Sequence, residues 1–154
     1  MDKNQALSKA MALCSRREYS EASIRDKLNL WETPPGDVDS IIEQLIKEKF
    51  IDDLRFTVAY VRDKIRLNHW GRVKIHYMLS MEKVKHSIID QAIEGIDKEI
   101  YADALQELLE KKAHELKGES NPLIKKHKLI NFAQGRGFEV ELVLKHLKEM
   151  PAGF

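Results

Sequence analysis

Apolar side chains return every three or four residues along almost the whole chain, the spacing of helices that bury one face. Over residues 4–17, Ala6, Leu7, Ala10, Met11, Leu13 and Cys14 fall on one side. A second helix buries Ile24 and Leu28, with Leu30 and Trp31 continuing the stripe, and Pro34-Pro35-Gly36 stops it. Asp37 then caps a third, carrying Val38, Ile41, Ile42, Leu45 and Ile46. A longer helix follows over 53–68 with Phe56, Ala59, Tyr60, Lys64 and Leu67 on one face, then a short one holding Ile75, Met78 and Leu79. Val84, Ile88, Ile89, Ala92, Ile93 and Ile96 supply the next stripe. The longest helix, over 97–116, buries Ile100, Tyr101, Ala104, Leu105, Leu108, Leu109, Ala113 and Leu116. Two more run through Leu129, Phe132 and Ala133 and through Val140, Val143, Leu144 and Leu147. Between them, Gly135 or Gly137 takes a left-handed C-cap conformation. Residues 151–154 form a tail too short to fold alone.

The helix starts share one device. Tyr19 and Ile24 bracket Ser20, Ile51 and Phe56 bracket Asp52, and Trp70 and Ile75 bracket Gly71, each at the spacing of a hydrophobic staple around an N-cap. The first and third of these lie 51 residues apart. Residues 40–46 read SIIEQLI and 87–93 read SIIDQAI, an offset of 47, so the sequence places a four-residue insertion around Glu32-Thr33-Pro34-Pro35, between second and third helices. A weaker copy lies 54 residues further on, with Leu129, Ala133, Phe138, Leu142, Val143 and Leu147 under Ile75, Leu79, Val84, Ile88, Ile89 and Ile93. The pattern predicts an all-α chain of three tandem three-helix repeats, over 4–51, 52–96 and 97–150.

Charged residues make up 33% of the chain, above the roughly 25% of ordinary globular proteins; this suits an elongated body with thin cores. The net charge of +1 conceals a pattern of blocks. Residues 54–88 are net +6 between neighbours at 18–53 and 89–110 that are each net −6. Within that basic island, Arg55, Arg62 and Arg66 line one surface of the 53–68 helix, and Arg72, Lys74 and His76 crowd the first turns of the next. Cations at a helix N-terminus oppose the macrodipole, which is offset where an anionic partner sits there. These six residues are the candidate contacts for a partner or for DNA phosphates.

Catalytic constellations are missing from the sequence. There is no phosphate-binding glycine loop or dinucleotide fingerprint. No histidine has another at i+4, and one cysteine cannot build the usual zinc sites. Asp52-Asp53 belongs to a helix start rather than to acid-base chemistry. The expectation is a non-enzyme without cofactor or metal, and, with no apolar run long enough to span a bilayer, a cytoplasmic protein.

Several of these residues also carry a resemblance. Arg17-Glu18-Tyr19-Ser20 leading to Ile24 and Leu28, Phe50-Ile51-Asp52-Asp53-Leu54-Arg55-Phe56, Trp70-Gly71 followed by Ile75 and Leu79, and Arg136-Gly137-Phe138 resemble the RecX regulatory family, whose bacterial members modulate the RecA recombinase. Arg72-Val73 stands where that family usually has a proline soon after the glycine, and Glu82-Lys83-Val84 where it usually has Lys-Gly-Ile. The resemblance implies three tandem three-helix repeats in an elongated, curved body. It also implies a protein lying in the groove of the RecA–DNA filament, suppressing its ATPase and strand exchange and promoting its disassembly; the chain is expected to be a monomer. A direct DNA-binding module of helix-turn-helix type is the competing reading, opposed by the nearly neutral total charge.

Overall fold

The structure, a computed structural model, describes residues 1–150; the tail expected at 151–154 lies outside the described residues. Among the described residues it contains nine helices and no strand: α1 (Lys3–Arg16), α2 (Glu21–Leu30), α3 (Pro35–Lys47), α4 (Asp53–Asn68), α5 (Arg72–Met81), α6 (His86–Glu94), α7 (Lys98–Glu115), α8 (Pro122–Gly135) and α9 (Val140–Glu149). In order they make three tandem triplets.

Local chemistry accounts for most helix starts. Asp2 and Gln5 form a reciprocal capping box on α1. The Ser20 hydroxyl accepts from the Ser23 N–H at 3.1 Å, and Asp52 accepts from the Arg55 N–H at 3.1 Å. Asp97 caps α7 and Asn121 caps α8. Asp53 does not cap its own helix: its carboxylate accepts from the Glu21 N–H at 2.8 Å, stapling the start of α4 to the start of α2. Asp37 is not the cap of α3. Pro34 holds that position without a side-chain bond, Pro35 opens the helix where its missing N–H costs nothing, and Asp37 sits in the first turn with its charge toward the positive end of the dipole.

Four of the expected apolar faces need correction; on α9, Leu144 is 40% exposed and Val143 alone is buried. Leu30 is 79% exposed and Ile46 45%, so the stripes of α2 and α3 end at Leu28 and Leu45, two residues before their helices do. On α4 the buried line is Thr57, Val61 and Ile65 rather than Phe56, Tyr60 and Lys64, and Leu67 is 76% exposed. Thr57 tolerates full burial because its hydroxyl donates to the Asp53 carbonyl at 2.7 Å.

The second helix of every triplet ends in the same way. Glu32, Lys83 and Gly137 lie in the left-handed region with φ of 57°, 61° and 96°. After α2, the N–H groups of Glu32 and Thr33 donate back to Asn29 and Leu28; after α5, Lys83 and Val84 donate to Ser80 and Leu79; after α8, Gly137 and Phe138 donate to Gln134 and Ala133. This is the paired 5→2 and 6→1 bonding of a Schellman turn; the residue after the left-handed position is a buried apolar one in the second and third copies, Val84 and Phe138, and the buried Thr33 in the first. The three positions are separated by 51 and 54 residues, the offsets read from the sequence. The turns at 31–34, 82–85 and 136–139 have equal length, so the four-residue difference between the first two copies is not a loop insertion. It is one extra turn of helix: α3 has 13 residues and α6 has 9.

By its contacts the chain divides into two compact units, Met1–Tyr60 with Leu79–Ala92, and Val61–Met78 with the chain from Ile93 onward. The helices of the middle triplet contribute to both. In the first unit α1, α2 and α3 pack together around Ala6, Ala10, Ile24, Leu28, Val38, Ile41, Ile42, Leu45 and Ile51. In the second, α8 packs between α7 and α9, with Tyr101, Leu105, Leu109, Ala133, Phe138 and Val143 buried.

Candidate partner-binding surface

Arg62 and Arg66, one turn apart on α4, are both exposed in the second unit. Arg62 pairs with its sequence neighbour Asp63 at 3.3 Å, with both side chains more than half exposed. Such a pair contributes little and leaves the guanidinium available.

Arg55, in the first unit, is differently placed. Its Nε donates to Glu18 at 2.6 Å and its NH2 nitrogen to the Lys49 carbonyl at 3.0 Å. The bond to Glu18 holds the Arg55 guanidinium in its charged form, raising its pKa. Cys14, half-buried, lies in the same field: burial and the Glu18 charge push its thiol up. A thiol raised in this way is a poorer nucleophile than a free one.

The N-terminus of α5 answers the question raised by its cations. Gly71 donates to the Arg136 carbonyl at 2.8 Å, Arg72 to the Tyr101 hydroxyl at 2.9 Å and Val73 to the Gly137 carbonyl at 3.0 Å. The N–H groups of Gly71, Arg72 and Val73 at the helix start are therefore satisfied from within the chain. The Arg72 guanidinium pairs with Glu139 at 2.8 Å and lies 3.9 Å from the Tyr101 ring centroid. The Tyr101 hydroxyl in turn donates to Glu139 at 2.5 Å. Burial raises the Tyr101 phenol far above its ordinary range, and the bond to Glu139 adds to this. Burial also pushes the Glu139 carboxyl up, but the bonds from Tyr101 and Arg72 outweigh it and hold the group below the usual carboxylate range. A negative charge thus faces the cation-rich helix start, and the chain supplies it.

Two glycines make this docking possible. A Cβ on Gly71 would meet the Gly137 carbonyl carbon and oxygen at 2.3 Å, and one on Gly137 would meet the Lys74 Cβ at 2.4 Å. Here backbone approaches backbone, and only glycine leaves room. Beside them, Trp70 gathers two ammonium groups, Lys64 at 4.8 Å and Lys74 at 4.5 Å from the ring centroid. His76 is half-buried on α5 and has a partner of its own.

The structure therefore brings Arg72, Lys74 and His76 together on α5, places Arg62 and Arg66 on the second unit's part of α4, and leaves Arg55 in the first unit. Sequence reasoning missed Tyr101, Glu139, Trp70 and Lys64 as parts of this surface. Trp70 was legible as a staple residue; for Glu139, 67 residues from Arg72, no local signal exists. No helix among the described residues is long and apolar enough to cross a membrane.

Comparison with known proteins covers the same ground. Family models match in chain order: the first three-helix domain of RecX at residues 6–45, the second at 52–93 and the third at 99–147. The regulatory protein RecX of Clostridium acetobutylicum is 32% identical over 148 residues, covering 94% of this chain and 68% of that protein. This chain therefore spans about two thirds of the clostridial protein's length. The regulatory protein RecX of Prosthecochloris aestuarii is 28% identical over 149 residues, covering 97% of this chain and 95% of that one. The crystal structure of RecX from Lactobacillus salivarius superposes with a TM-score of 0.87 at 20% identity, over 96% of this chain and 95% of the other. With three domain models matched in order and this level of identity to a named regulator, the chain belongs to the RecX family of regulatory proteins.

Proposed function

We propose that this protein binds the RecA recombinase filament and restrains its ATPase and strand exchange, acting as a cytoplasmic monomer by contact and not by catalysis. What carries the reading is membership of the RecX family through all three consecutive domains. The alternation of acidic and basic blocks supports it, since a partner surface bearing both charges can be matched along its length. The repeats that act are 4–51, 52–96 and 97–150.

Within the basic island the contact begins with Arg62 and Arg66, which are exposed and lightly held. Lys74 and His76 extend it along α5. Arg55 and Arg72 join only by giving up Glu18 and Glu139, so their first role is to hold the surface in place.

The test is DNA-dependent RecA ATPase with wild-type protein and with the Arg62→Glu, Arg66→Glu double variant. Arg72 is spared, because a glutamate there would face Glu139. The variant is expected to keep its helicity and lose inhibition. Full inhibition by the variant refutes the placement of the contact, and absence of inhibition by wild-type protein refutes the function. Weak attraction to DNA phosphates accompanies the reading. Were bare duplex bound tightly, with a log-log salt slope of about −0.9 for each phosphate neutralised, the direct DNA-binding alternative would replace it.

A further inference from the structure

A second surface lies in the same unit, next to the start of α5, where Gly71 donates to the Arg136 carbonyl. The end of α4 and the facing sides of α7 and α8 enclose a cleft of about 610 Å³, within the range of sites that hold a ligand or a short peptide segment. Its apolar side is formed by Leu108, the half-buried ring of Phe132 and Leu67, which is 76% exposed.

The polar lining is unevenly charged. Glu107 is hydrogen-bonded to His69 at 2.9 Å and Glu115 is paired with Lys112 at 3.4 Å. Counting His69 as neutral, the lining sets Lys111, Lys112 and Arg136 against Glu107 and Glu115, so the cleft carries a small positive excess. Two of the cations are held in position by Phe132: Lys112 lies 4.7 Å and Arg136 4.9 Å from its ring centroid. A guanidinium held against a ring still has its N–H donors to offer and suits a carboxylate's two oxygens. His69, at the end of α4, has a left-handed backbone with φ of 53°.

We propose that this cleft is a docking site for an acidic peptide segment with an apolar anchor. Carboxylates of the segment meet Arg136 and Lys111, and the anchor covers Leu67 beside Phe132. The mixed lining favours a peptide over a nucleic acid. A duplex presents a phosphate charge roughly every 1.7 Å of its axis, and Glu107 and Glu115 would stand among those charges. A peptide can space its carboxylates to pass between them and fill the apolar wall as well. The proposal does not depend on the filament reading, because binding is measured without recombinase.

The probe is a fluorescein-labelled peptide in which Asp and Glu flank a central pair of leucines, followed by anisotropy with the full chain. Saturable binding that weakens with salt is expected. The double variant Lys111→Glu, Arg136→Glu should weaken it about tenfold or more, the loss of one charge-assisted contact being enough for that. Leu67→Asp should do the same. Leu67 is exposed, so this variant retains the fold and keeps the test decisive if the double variant loses helicity. The Arg62→Glu, Arg66→Glu variant should bind the peptide as wild type does. Unsaturable binding, or binding untouched by both cleft variants, overturns the proposal. So does displacement of the peptide by oligo-dT whose own affinity falls with the same substitutions, since the cleft would then be a nucleic-acid site.

Discussion

Gly71→Ala isolates the junction between the α4–α5 and α8–α9 turns. The added methyl would lie 2.3 Å from the Gly137 carbonyl atoms and 2.4 Å from the Phe138 nitrogen. Contact at ordinary van der Waals distance requires the second turn to withdraw by about 1 Å. That breaks the Gly71 to Arg136 and Val73 to Gly137 bonds, now 2.8 and 3.0 Å. Two bonds at about 1 kcal/mol each and overpacking at about 1–3 kcal/mol predict a loss of roughly 3–5 kcal/mol. Opposing this, Gly→Ala restricts the unfolded chain and stabilises by about 0.4–1 kcal/mol where the backbone allows it. Gly71 has no positive φ, so that smaller effect would prevail if the space were open. The sign therefore decides. Urea unfolding in a Trp31→Phe background, where Trp70 reports on the second unit alone, should show a loss of about 3 kcal/mol net. Gly135→Ala, in the same unit and with nothing within 4 Å, serves as the control and should be neutral or slightly stabilising. A neutral or stabilised Gly71→Ala protein would refute the backbone-to-backbone packing.

The same unit gives two further predictions, and the first unit gives one. Tyr101→Phe removes the acceptor for the Arg72 N–H and a donor to Glu139, and should cost about 1–3 kcal/mol in the same unfolding assay. Because the folded Glu139 carboxyl lies below its unfolded value, its stabilisation is complete above about pH 4.3, the unfolded reference, and is lost as pH falls through the depressed folded pKa. Acid titration of Trp70 fluorescence should show that loss, and Glu139→Gln should remove this part of the pH dependence. Lys83→Gly relieves a left-handed lysine and should raise the stability of the first unit by up to about 1 kcal/mol, read from Trp31 fluorescence in a Trp70→Phe background.

What the sequence disclosed was mainly local. Staples around Ser20, Asp52 and Gly71 each span only six residues, and the offsets of 51 and 54 recur in the structure at Glu32, Lys83 and Gly137. The left-handed ends were legible only at Gly137. Glu32, Lys49, His69 and Lys83 adopt the same conformation without glycine's signal, because backbone bonds, joined after Lys49, His69 and Lys83 by the hydrophobic residue that follows, outweigh a local cost of about 1–2 kcal/mol. The shared SIIEQLI and SIIDQAI segments misled in a particular way. Periodicity tolerates a slip of one helical turn, so an extra turn in α3 looked like an insertion in the loop before it. The face of α4 was misjudged by one position, about 100° of rotation: Phe56 and Tyr60 suggested a core that Thr57, Val61 and Ile65 provide.

The candidate surface shows the same division between local and distant information. Composition correctly marks residues 54–88 as an excess of positive charge, and helix electrostatics correctly demands an anion near Arg72. Neither can say whether the anion is a partner's or the chain's own. Glu139 and Tyr101 supply it from the third triplet, so part of the basic island is used to join one triplet to the next. It follows that a charge reversal which includes Arg72 would confound loss of contact with loss of structure. Arg62 and Arg66, unburdened by such partners, separate the two, and for that reason they are the positions at which a binding defect can be read as one.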